Sequence, residues 1–141
     1  MKRLISIMLV VALLFIATSP ASAAVLPGVS PNYVNTEEAS TRITIDNAGN
    51  VEVVVNCLAK PATTKIYVSS YIEKQYGTTW VRVDNGQAGY AWQTTVYSII
   101  LAEIYSFKLP SNSAGTYRVV STFLISASTT ETIVLMDYYT F

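Results

Sequence analysis

From Tyr33 onward the apolar residues of this chain recur at alternate positions, and no long stretch repeats with a helical period. The clearest instance is Val51-Glu52-Val53-Val54-Val55-Asn56-Cys57. Val51, Val53, Val55 and Cys57 share one face there, with Glu52 and Asn56 opposite. Such alternation describes a strand with one side against a core and the other in water. The flanking sequence is rich in Val, Ile, Thr, Tyr and Ser, which suit a pleated surface or a turn. The chain is therefore expected to be all-β.

Reading along it gives a series of short strands. Thr41 to Ile45 leads into Asp46-Asn47-Ala48-Gly49-Asn50, a hairpin loop by its turn residues, and then into Asn50 to Leu58. Lys65 to Tyr76 follows, with Ile66, Val68, Ser70 and Ile72 on one face and Tyr67, Ser69, Tyr71 and Glu73 on the other. Trp80 to Asp84 and Tyr90 to Thr95 come next, the second as a short edge strand. Ser98 to Leu109 carries one turn of helical spacing at Ile99, Ile100, Leu101 and Ile104, and reads mostly as strand. Pro110 to Gly115 is a loop, and Thr116 to Ile125 and Thr130 to Tyr139 close the series. Short strands at fairly even spacing predict a sandwich or a barrel.

Residues 1–23 read as a helical signal peptide: Lys2 and Arg3, an apolar run from Leu4 to Ile16, then Ala21-Ser22-Ala23 as a cleavage site. The run is shorter than the roughly 20 residues a spanning helix needs. Residues 24–32 form a Pro- and Gly-punctuated leader, and 33–141 the β domain. No second apolar span follows, so the expected product is secreted, extracellular and not anchored to a membrane.

Composition narrows the function classes. Nine acidic and nine basic residues balance over the chain, but Lys2 and Arg3 fall in the leading segment and no basic run remains after it. Nucleic acid and anionic membranes are poor partners for such a surface. Histidine is absent, which removes the commonest general base and metal ligand. There is no G-x-S-x-G elbow and no glycine-rich phosphate loop. Asp46 to Asn50 lacks the acidic ring and closing Glu of a calcium loop. The expectations are a non-enzyme with no cofactor and no metal.

Three landmarks resemble an immunoglobulin-like sandwich. Val51 to Cys57 resembles its B strand, Lys65 to Val83 its C–C′ hairpin, and Ser113-Ala114-Gly115-Thr116-Tyr117-Arg118-Val119 the stretch that opens strand F. The resemblance implies a single antiparallel sandwich of about seven strands, with Tyr117 as a tyrosine corner. Val119 stands where a second Cys would be, Ser113 where an Asp would be, and strand C lacks its Trp. The order Thr64 to Lys74, Gly77 to Val83, Gly115 to Val119 and Glu131-Thr132 is also similar to small signal-peptide-bearing proteins of Gram-positive bacteria, a domain family of unknown function. That likeness implies a secreted bacterial β domain and brings no catalytic residues.

Two groups of residues stand out as candidates. Cys57, the only cysteine, cannot form an internal disulfide; its face makes it a buried free thiol, with an intermolecular disulfide as the alternative. Ten Tyr and two Trp occur in a weakly charged chain. Tyr67 and Tyr71 belong to an outward face, which Trp80, Tyr76 and Tyr90 or Trp92 on neighbouring hairpins are expected to extend. An outward aromatic strip can stack on a sugar ring or anchor a protein; ordinary cross-strand pairing is the competing reading. The leading expectation is a binding module for a protein or glycan outside the cell. The alternative is a structural protein that self-associates through sheet edges.

Overall fold

A computed structural model describes residues 33–110 and 113–141. The expected signal peptide and leader, residues 1–23 and 24–32, lie outside the described residues. Eight strands are present among the described residues: β1 (Thr36–Ile45), β2 (Asn50–Ala59), β3 (Lys65–Tyr76), β4 (Thr79–Arg82), β5 (Trp92–Val96), β6 (Ile100–Lys108), β7 (Thr116–Ser126) and β8 (Thr130–Thr140). One short 3-10 turn, Ala88–Tyr90, precedes β5. All pairings are antiparallel. The segment with one turn of helical spacing is the strand β6, whose Ile100 and Ile104 face outward while Leu101 is buried.

The strands form two sheets, one ordered β1-β2-β6 and the other β4-β3-β7-β8, with β5 pairing β3 beyond the end of β4. Their inner faces share one core. Ile43, Ile45, Val51, Val53, Val55, Cys57 and Leu101 come from the first sheet, and Ile66, Val68, Ile72, Val119, Phe123, Ile125 and Ile133 from the second. Each set occupies alternate positions of its strand, which is how one-sided burial sets register. The hairpin between β1 and β2 closes because the Asp46 carboxylate accepts the N–H groups of Ala48 and Asn50 at 2.9 and 2.8 Å. Gly49 there takes φ +80°, which costs a glycine little.

Polar groups also cross the core. Ser121 Oγ of β7 lies 2.8 Å from Ser70 Oγ of β3 and 2.8 Å from Thr41 Oγ1 of β1. The three hydroxyls satisfy one another, so their burial carries little penalty.

The two open sides of the sandwich are closed differently. Beside β8, its inward carboxylates meet the backbone of β1 and of the residues just before it. Glu131 accepts the N–H of Val34 at 2.6 Å, the N–H of Asn35 at 2.9 Å and the hydroxyl of Thr36 at 2.8 Å. Asp137 accepts the N–H of Ile43 at 2.9 Å. Beside β6, the closure is aromatic. Trp92 of β5 stacks on Tyr105 of β6, with centroids 5.2 Å apart and planes 3° from parallel, and touches Phe107 at 5.8 Å.

Candidate functional site

The expectation that Trp92 extends an outward aromatic strip is overturned. Trp92 is only 7% exposed and belongs to the core. Its register explains why: it pairs with Ser70, an inward residue of β3, and directly opposed residues point to the same side of a sheet. The small Ser70 leaves room for the indole over it.

The outer face of β4-β3-β7-β8 holds the remaining aromatics. Register places Glu73 of β3 opposite Arg82 of β4 and Arg118 of β7, and Arg118 opposite Tyr138 of β8. Alternation puts all four on the outer side with Tyr71, Gln75, Met136 and Val134. Arg118 donates through Nε and Nη2 to one Glu73 carboxylate oxygen at 2.7 and 2.6 Å. Held there, its guanidinium lies 4.3 Å from the centre of the Trp80 ring. Tyr138 meets Trp80 edge to face at 5.9 Å, and its hydroxyl lies 3.7 Å from Met136 Sδ. Arg82 covers Tyr71, with its guanidinium carbon 3.8 Å from the ring centre.

The sequence candidates therefore divide. Trp80 and Tyr71 belong to one outer cluster, but the Tyr71 ring face is taken by Arg82. Tyr67, four residues from Tyr71 on the same face, lines a separate open hollow of about 410 Å³ with Lys65, Thr95, Leu124, Ser126 and Thr130. Tyr90 is exposed in the 3-10 turn, and no ring contact joins it to the cluster among the described residues. The turn is near β4 through Arg82 Nη1, which donates to the Gly89 carbonyl at 3.3 Å.

Tyr138, Met136, Arg82 and Arg118 complete the cluster and were not singled out in the sequence. The signal for the first two was present as alternation: Val134, Met136 and Tyr138 occupy one face of β8. That face was hard to choose because Ile133, Leu135 and Tyr139 occupy the other.

Tyr117 is buried and its hydroxyl donates to the Ser113 carbonyl. Lys74 Nζ donates to the same carbonyl at 3.2 Å. Gly115 has φ +149°, a backbone conformation that side-chain-bearing residues rarely adopt, so glycine suits it. Cys57 is free and buried. Burial, with a smaller push from the Glu131 charge, raises its thiol to about 11. At neutral pH it is a protonated core side chain.

Most carboxylates have structural partners: Glu131 and Asp137 on β1, Glu73 on Arg118, Asp46 in its turn, and Asp84 on the N–H of Gly86 at 2.8 Å. No group of three or more Asp, Glu or Cys side chains suited to a metal ion occurs among the described residues. No family model, curated protein or solved structure matches the chain.

Proposed function

We propose that this chain is an exported, non-enzymatic binding module that meets a protein or glycan outside the cell through the outer face of β4-β3-β7-β8. The observation that carries the reading is the Trp80–Tyr138 pair. Tyr138 is 50% exposed, and the Trp80 ring meets both its edge and the Arg118 guanidinium, which Glu73 holds in place. Aromatic groups ordered before contact lose little side-chain freedom on binding and offer a large area with a polar end. The hollow at Tyr67 lengthens the same face.

The strand order supports an immunoglobulin-like reading: β1-β2-β6 facing β4-β3-β7-β8 is the A-B-E and C′-C-F-G arrangement, with β5 moved onto β3. Trp92 and Tyr105 supply core aromatics where strand C lacks its Trp. A secreted Gram-positive bacterial β domain fits the leading segment and the absence of any disulfide requirement. Edge-to-edge assembly has less support. Glu103 pairs with inward Val55 and so sits on the inner side of the edge strand β6, which discourages another strand from pairing there.

A glycan array and pull-downs from extracts, run with the protein and a Trp80→Ala/Tyr138→Ala variant, test the proposal. Binding that the double variant loses while keeping its circular dichroism spectrum supports it. No binding above background in either format, or binding indifferent to the two substitutions, defeats it.

A further inference from the structure

The outer face of β1-β2-β6 carries a second, independent feature: an apolar patch on a sheet face with nothing over it among the described residues. Val54 pairs with Ile104, and Leu58 with Ile100, with Asn56 and Ala102 paired between them. Ile104 is 66% exposed, Ile100 59% and Leu58 38%. β-branched and Leu side chains side by side in water cost solvation free energy, and contiguous patches of this kind mark contact surfaces. On β1 the same rows continue outward as Arg42 beside Val54, Ser40 beside Asn56 and Glu38 beside Leu58.

These rows are self-complementary. A half-turn about an in-plane axis running along the Ser40–Asn56–Ala102 row keeps each strand in its column and reverses its direction. Val54 then faces Leu58 of the second copy, and Ile104 faces Ile100. Arg42 faces Glu38 of the second copy, and Glu38 faces Arg42. Asn56 meets Asn56, whose amide both donates and accepts. We infer that this face is the interface of a two-fold homodimer in which the β1-β2-β6 sheets of two copies pack face to face. Sheets packed this way stand about 10 Å apart, a gap that paired aliphatic side chains fill and an Arg–Glu pair spans. A two-fold contact of one patch with itself also closes, so it ends at the dimer.

The patch is small. Four residue steps of about 3.3 Å and two strand spacings of about 4.8 Å make it smaller than standard specific interfaces, so the dimer is a weak, transient one. Occupation of this face leaves the Trp80–Tyr138 face free, so failure of one proposal leaves the other standing.

Sedimentation velocity on the purified protein between roughly 10 μM and 1 mM tests it, the window for a contact of this size. The expected result is a monomer–dimer equilibrium. Ile104→Glu, at an exposed position, should raise the dissociation constant about tenfold or more by placing a charge in the contact. Arg42→Glu alone or Glu38→Arg alone sets like charges opposite each other at both symmetry-related places and should weaken the dimer. The double reversal should restore it, because opposite charges face each other again. A monomer throughout the range overturns the proposal. So does a dimer that Ile104→Glu leaves unchanged, or a double reversal no better than either single one.

Discussion

Asp137 of β8 accepts the backbone N–H of Ile43 of β1 at 2.9 Å, so a side chain of one sheet satisfies the edge backbone of the other. Glu131, six residues earlier on the same inner face, does the same for Val34 and Asn35. The pair fastens β1 to the second sheet along its length and covers edge groups that otherwise invite pairing with another chain. Removing an acceptor leaves amide donors unmatched. Glu131→Ala is expected to lower stability by about 1–3 kcal/mol, and Asp137→Ala by about 1–2 kcal/mol, from the usual worth of hydrogen bonds to a charged group. Urea denaturation measures both. Unchanged midpoints would mean that water replaces the carboxylates without loss.

Acid should open this seam. Burial raises the Glu131 pKa, but the N–H groups of Asn35 and Val34, the Thr36 hydroxyl and the Lys60 charge lower it, and the lowering wins. The folded carboxyl thus releases its proton more readily than the unfolded one. Its contribution is fully present above the ordinary carboxylate range and is lost as the pH falls through the lower, folded value. The melting temperature should stay level from about pH 7 to pH 5 and then fall, less steeply in Glu131→Gln. Part of the fall remains in that variant, because Asp46 is also held low, by the Asn50 side chain and then its N–H. An acid limb identical in the two proteins counts against the assignment.

The two tryptophans should behave oppositely. Trp92→Ala removes a core ring stacked on Tyr105 and should cost about 3–5 kcal/mol. Trp80→Ala removes an outer-face ring and should cost less than about 1 kcal/mol, the loss of its cation–π and edge contacts. Emission spectra give a second reading: the protein with only Trp92 should emit further to the blue than the protein with only Trp80. Equal costs for the two substitutions would contradict the register that places them on opposite faces.

Cys57 should be silent to thiol reagents in the native protein at neutral pH and react fully in denaturant, since its thiol is buried and raised to about 11. Cys57→Ser should destabilise by about 1–3 kcal/mol, the penalty for a hydroxyl without a partner in the core. Rapid native labelling would contradict its placement.

Period-two alternation was enough to read β2 and β3, down to which residues of Val51–Cys57 and Ile66–Ile72 face inward, because one-sided burial writes itself into the order of residues. Asp46, Gly49 and Asn50 announced their turn for the same local reason. Helical spacing at Ile99, Ile100, Leu101 and Ile104 competed over one turn with the strand reading that β6 follows, because β6 is an edge strand with apolar residues on both faces. The orientation of Trp92 was not legible, since Trp80 and Trp92 both sit in short strands between turn residues. Only the pairing of Trp92 with Ser70 sends it inward.

The sequence by itself determined that this chain is a series of antiparallel strands and which faces of the long ones are apolar. Those properties depend on neighbours one or two positions apart. Tertiary structure alone decided that Glu131 and Asp137 bond β1 and the residues before it, that Trp80, Arg118 and Tyr138 share one outer face, and that Val54 adjoins Ile104 and Leu58 adjoins Ile100. Each of those relationships joins residues distant in the chain, and strand order and register bring them together.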